Sequence, residues 1–261
     1  MERFAFTEAS SGRSASLAYD SRGKGPALVY VHGWSCCRRD VDAVAELLAG
    51  SFRVVSVDLP HHGASTSEQP EWGITDFGRV VAALVAHLGL DDVTLLGHSM
   101  GSTVVTEAAL LLGSSVRHVV ALDGLTFMNV YPRQSEEVVE AVLAPFRADF
   151  AGTVRGFVDS VMPGADEAIK DRVFAEMSSG PQDSLVFALG SLLRWDMESA
   201  LQRCSTPVTA VVSSLFLTDE ARSVLSGRVE IVSVDLGGHF YFMERPDGSA
   251  EVLRDVLTRA R

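Results

Sequence analysis

Short apolar runs at 27–31, 53–57, 93–96, 118–122, 208–212 and 229–234 punctuate the chain and predict strands. Two earlier runs, 3–7 and 16–19, predict an N-terminal hairpin. Apolar positions with helical spacing fill 40–48, 74–88, 100–112 and the C-terminal 249–261. Asp76 stands near the start of the second helix, where it can cap, and Gly89 stands just past its end. The alternation predicts an α/β fold, with a mostly parallel central sheet and helices on both faces.

One interval breaks the rhythm. Between Gly124 and Pro207 no strand pattern occurs. Helical patches at 136–143, 154–161, 166–177 and 184–193 are separated by Pro132, Pro145, Pro163 and Pro181. A connection this long should not be a bare loop. The expected architecture is a core formed by 1–124 and 205–261, with a helical lid, 125–204, inserted between two of its strands.

Composition narrows the function classes. With 261 residues, 47% of them hydrophobic and 21% charged, the chain fits one large domain with a deep core. A net charge of −12 disfavours nucleic acid or an anionic membrane as partner. No apolar run is long enough to span a bilayer, and the polar stretch from Glu8 to Ser16 lacks the apolar centre of a signal peptide, so a cytoplasmic location is expected. Cys36, Cys37 and Cys204 cannot all pair, the first two are adjacent, and their spacing matches no zinc pattern. Neither a metal nor a cofactor is implied.

Candidate chemistry starts at Gly97-His98-Ser99-Met100-Gly101. Two glycines around a serine can arise by chance. Here, however, a buried-strand pattern precedes Ser99 and a helix follows it, so the serine falls on a strand-to-helix turn, the context of a nucleophile elbow. Met100 at the helix N-terminus then offers a backbone N–H to an oxyanion. A serine hydroxyl needs a histidine to take its proton, and the histidine needs a carboxylate to hold its tautomer. His239 follows the last predicted strand in a Gly237-Gly238 turn and is the favoured base. His87 and His118 read as helix or strand residues, His98 as pointing away from Ser99, and His61 and His62 as a turn beside the pocket.

With these pieces the chain resembles the α/β-hydrolase superfamily over nearly its whole length. The matching motifs are V-H-G-W (31–34), D-L-P-H-H-G-A-S (58–65), G-H-S-M-G (97–101) and G-G-H-F-Y-F-M-E-R-P (237–246). The resemblance implies a second oxyanion donor at the Trp34 backbone N–H. It also exposes a departure. Most members carry the acid after the strand preceding the last one, but here that strand runs V-V-S-S-L-F (211–216), with no carboxylate before Asp219. Asp123, at the alternative family position after the strand that follows the elbow helix, is preferred; Asp219 and Asp235 are the alternatives.

Trp34, Phe127, Trp195 and Phe240 are expected to line an apolar substrate pocket, with Met128, Phe157 and Met162 as further lid candidates. Cys36 and Cys37, just past the oxyanion loop, read as packing residues or pocket lining. The leading expectation is a lidded serine hydrolase that cleaves a small hydrophobic ester, lactone or thioester through an acyl-enzyme. An acyltransferase with the same triad, a cofactor-free dioxygenase in which serine is a bystander, and a slow-turnover ligand receptor are the rivals.

Overall fold

The computed structural model describes residues 1–8, 11–126 and 133–259. Strands β1 (Glu2–Thr7), β2 (Ser14–Arg22) and β3 (Ala27–Val31) lead through a 3₁₀ turn, Arg38–Val41, into α1 (Asp42–Leu48). Then come β4 (Arg53–Val57), the short β5 (Thr66–Ser67), α2 (Ile74–His87), β6 (Val93–His98), α3 (Met100–Leu112) and β7 (Val116–Leu122). Among the described residues, five helices follow without a strand: α4 (Glu136–Ala148), α5 (Phe150–Val161), α6 (Glu167–Met177), α7 (Gln182–Leu193) and α8 (Met197–Arg203). The chain closes with β8 (Val208–Ser213), α9 (Asp219–Leu225), β9 (Glu230–Val234), α10 (Tyr241–Glu244) and α11 (Pro246–Arg259).

The sheet order is β1-β2-β4-β3-β6-β7-β8-β9, with β5 paired to β2. From β4 to β9 every neighbour is parallel, whereas β1 and β2 are antiparallel to their partners. Every residue of β6 and β8 is buried, as two-sided covering by helices requires. Helix α3 is buried at each of its first ten positions because it lies between the sheet and α2, and its small residues permit that approach. The amphipathic α2 buries Ile74, Phe77, Val81 and Leu84 on its inner face. Its Asp76 accepts the Gly73 N–H (3.2 Å), and Gly89 takes a positive φ of 60° just past its end.

Several boundaries differ from the sequence expectation for local reasons. The C-terminal helix starts at Pro246 rather than 249, since proline is pre-organised for a first helical turn. The first helix is a 3₁₀ turn followed by α1. Helices α4, α5, α6 and α8 open on side-chain caps: Ser135, Asp149, Asp166 and Asp196 each accept a backbone N–H of the turn they open. Helix α8, which carries little apolar periodicity, was not expected. Among the described residues no helix is long and apolar enough to cross a membrane.

Candidate active site

Three loops meet beyond the carboxyl ends of β3, β6 and β7. Ser35, Ser99, Asp123 and Leu125 all sit there with positive φ, at 57°, 50°, 44° and 65°. For non-glycine residues such backbone costs about 1–3 kcal/mol each and persists only where the surroundings impose it. At Ser99 the surroundings are explicit. A Cβ on Gly97 would lie 2.3 Å from the Gly101 carbonyl, and one on Gly101 would lie 2.2 Å from the Val31 carbonyl. Only glycines let the strand, the turn and the helix approach so closely.

Ser99 is half-buried, and its amide donates to the Leu122 carbonyl (3.0 Å), which places the turn beside the strand end carrying Asp123. Met100 opens α3, so its N–H is among those with no partner inside the helix. On the opposite flank, a Cβ on Gly33 would lie 3.3 Å from Ser99 Cβ, which puts the His32-Gly33-Trp34 loop against the serine. Buried His32 keeps that loop in place. Its Nε2 accepts the Leu59 N–H (3.0 Å) and its Nδ1 donates to the Gly33 carbonyl (2.8 Å). Burial pushes its pKa down to about 4, so the ring stays neutral and can accept.

His239 and Asp123 meet across the sheet end. His239 Nδ1 donates to Asp123 Oδ2 (2.6 Å), and both side chains are buried. Asp123 Oδ1 accepts the Ser213 N–H (2.8 Å), and the Asp123 amide donates to the Val211 carbonyl (2.8 Å). The end of β8, where most relatives were expected to place the acid, here supplies a backbone donor to an acid carried by β7. Asp219 instead opens α9, whose first turn is capped by Thr218. Asp235 lies just past β9 and is exposed.

The expected pocket residues separate. Trp34 Nε1–H donates to the Leu185 carbonyl of α7 (2.7 Å), and its ring packs against Phe146 of α4 (5.1 Å) and Phe150 of α5 (6.0 Å). Phe240 packs on the rings of His98 (4.9 Å) and His239 (5.3 Å), and Phe157 of α5 meets His239 edge-on at 6.4 Å. Trp195 goes elsewhere. Its Nε1–H donates to Glu107 of α3 (2.7 Å), and the ring lines a cleft with Ile74, Ser191 and Arg194 that Ser99 does not line. Phe127 and Met128 lie outside the described residues. Met162 is fully buried.

Sequence reasoning missed a second cluster. The loop 58–65 is built around the buried carboxylate of Asp58, which binds Arg38 Nη1 (2.6 Å) and accepts the N–H groups of Arg38 (2.7 Å) and Ala64 (2.8 Å). His62 in that loop is buried and its pKa is lowered to about 3, chiefly by desolvation, so it remains neutral. Beside it, a cavity of about 820 Å³ is lined by Cys37, Arg38, His61, Arg172 and Glu176, and neither Ser99 nor His239 borders it. Among the described residues, Cys37, Asp40 and Glu176 there bring one potential metal-ligand atom each within 4.8 Å of one another.

Two carboxyl groups packed this way favour holding a proton. Desolvation first, and then the Glu176 charge, push Asp40 up to about 8. This raised value means that the folded chain keeps a proton that the unfolded chain releases. The resulting stability is full at low pH and is lost as pH rises from about 4 towards about 8. Asp40→Asn retains an acceptor for the Cys37 N–H and offers an amide donor to Glu176 Oε1, which has no hydrogen-bond partner. The melting temperature of Asp40→Asn should therefore gain on that of the parent between about pH 5 and about pH 8. A constant difference across that range would show that Asp40 is already ionised.

The sequence profile of a family described as "Alpha/beta hydrolase family" matches residues 28–252. A pimeloyl-[acyl-carrier protein] methyl ester esterase of Aliivibrio salmonicida is 27% identical over 217 residues, covering 77% of this chain and 78% of its own. A thermophilic esterase from Thermogutta terrifontis has a TM-score of 0.85 at 22% identity, covering 100% of this chain and 99% of that one. Est816, described as an N-acyl homoserine lactone degrading enzyme, has a TM-score of 0.79 at 22% identity, covering 94% and 97%.

Proposed function

Because the chain belongs to the alpha/beta hydrolase family, we propose that it hydrolyses a carboxylic ester or lactone through an acyl-enzyme, with Ser99 as nucleophile, His239 as base and Asp123 as the acid. The observation that carries this reading is the 2.6 Å His239–Asp123 hydrogen bond beside a serine held at φ 50° on the turn into α3. An ionised carboxylate only accepts, so His239 Nδ1 carries the hydrogen and Nε2 keeps its lone pair for the Ser99 proton. Attack by Oγ then forms the Oγ–C bond while His239 gains the proton. Asp123 stabilises the imidazolium, and the proton passes to the departing alkoxide as the ester C–O bond breaks. Water repeats the sequence in reverse on the acyl-enzyme. The backbone amides of Met100 and Trp34 hold the oxyanion, where charge develops and preorganised donors act most strongly.

The names of the relatives support an ester-type substrate, and the aromatic rings of Trp34, Phe146, Phe150 and Phe157 support an apolar one. A substrate screen read by intact mass tests the reading: a single acyl adduct on Ser99 is the expected result. Transfer of the acyl group to an added alcohol or amine in preference to water would replace hydrolysis with acyl transfer. Across p-nitrophenyl esters, each methylene that enters the pocket should raise kcat/KM about fourfold, from about 0.8 kcal/mol of burial, until the pocket is full. Phe157→Ala should flatten that series. An unchanged profile would mean that α5 takes no part in selecting the acyl chain.

A further inference from the structure

His98, between Gly97 and the nucleophilic serine, is a buried titratable side chain that the mechanism above does not use. Its surroundings are unusual. Nε2 lies 3.0 Å from the His239 carbonyl, an oxygen that only accepts, so Nε2 must carry the hydrogen. Nδ1 is then a bare acceptor, buried and without a hydrogen-bond partner. A buried acceptor left unpaired loses its hydration without a hydrogen bond to replace it. An apolar ring of the same size would avoid that penalty, and the neighbours would accept one: His98 packs on Phe240 (4.9 Å) and Phe242 (4.7 Å) as well as on the His239 ring (4.7 Å). What the histidine offers over such a ring is its Nε2–H.

The other edge of the ring faces the oxyanion loop, since a Cβ on Gly33 would lie 2.9 Å from His98 Nδ1. The imidazole thus fills the space between the loop that carries Trp34 and the loop that carries His239. The far side of the base loop is closed by the helical insertion. The His239 N–H donates to the Val161 carbonyl at the end of α5 (2.7 Å), and a Cβ on Gly238 would collide with that oxygen at 2.3 Å. Both backbone groups of His239 are therefore engaged, one by α5 and one by His98. Burial and the neighbouring His239 hold His98 neutral, so its Nε2–H stays available as a donor without adding a positive charge when His239 becomes protonated.

We infer that His98 is a positioning residue: by clamping the His239 carbonyl and bracing Gly33, it sets where the base stands relative to Ser99 and the oxyanion donors. The inference rests on the proposed acyl-enzyme reading for its kinetic consequence, but not for its structural one. Reacting groups must be held to within about 0.5 Å, so a released base loop should slow the chemistry more than it weakens binding.

Gln and Asn variants at position 98 separate the hydrogen bond from mere packing, because the Gln amide nitrogen reaches the place of Nε2 and the Asn amide nitrogen only that of Nδ1. His98→Gln should retain kcat within about fivefold, whereas His98→Asn and His98→Phe should lower it by about 10- to 100-fold with KM little changed. The low-field proton resonance of His239 Nδ1–H, which reports the bond to Asp123 without any substrate, should shift or broaden in His98→Asn and return in His98→Gln. If Gln and Asn lose kcat equally, if the loss appears in KM alone, or if the resonance is the same in all folded variants, the inference is overturned. If His98→Phe does not fold, the Gln–Asn pair still decides. Should the native protein form no Ser99 adduct while the resonance follows the expected order, the acyl-enzyme reading fails and the positioning role stands.

Discussion

Ser99→Ala is expected to lose fluorophosphonate labelling completely and to lower ester turnover by about 10⁴-fold or more, because residual catalysis then rests on the oxyanion amides and binding alone. The substitution removes one oxygen from a half-buried turn, so the fold should survive. The turn itself is held by backbone contacts of Gly97 and Gly101 and by the Ser99 amide on Leu122, none of which involves Oγ. Labelling of the variant at another residue would move the nucleophile away from the elbow. Turnover that persists with consumption of O₂ would instead favour the reading in which His239 and Asp123 deprotonate an aromatic hydroxyl and serine is a bystander.

Asp123→Asn should lower kcat by up to about 10⁴-fold while KM changes little, because an amide cannot hold the histidine tautomer that leaves Nε2 free to accept. The geometry sharpens this expectation. One carboxylate oxygen receives His239 and the other receives the Ser213 N–H, so an asparagine that keeps its oxygen on Ser213 turns its NH₂ towards His239 Nδ1. The ring must then place its hydrogen on Nε2 and can no longer accept from Ser99. Asp219→Asn, at the exposed start of α9, should leave kcat near the parent value. The reverse order in two folded variants would transfer the acid to the loop after β8. Steady-state kinetics on one ester substrate, with melting temperatures for both variants, make the comparison.

Much of this was legible along the chain because it depends on local pattern. Short apolar runs set between longer segments of helical spacing marked the strands of the parallel sheet. The buried-strand pattern of Val93–Leu96 and the helical spacing from Met100 placed Ser99 on a turn, and Gly97 and Gly101 fit a turn too tight for side chains. Gly237 and Gly238 flagged a turn that could carry His239 over the sheet end. Helix α8 escaped because Met197–Arg203 is short and mostly polar, with a boundary set by the Asp196 cap rather than by periodicity. Trp195 was read as pocket lining because an aromatic residue in a lid reads the same whichever side it faces; its bond to Glu107 comes from an element 88 residues away.

The sequence by itself determined the alternation of the main strands and helices of the core, the turn that carries Ser99 and the glycine turn that carries His239, since each follows from spacing within a few residues. Only the tertiary structure decided which carboxylate meets His239. That choice depends on the register of β7 against β8, which brings the Ser213 amide to Asp123 across 90 residues, and on the turn after β9, which brings His239 to the same side chain across 116. The same holds for the neutral state of His32 and His62, the proton held at Asp40 and the clamp formed by His98. Residue type sets what a side chain can donate or accept. Burial and the partners brought from distant segments set its charge and its position, and those are properties of the packed fold.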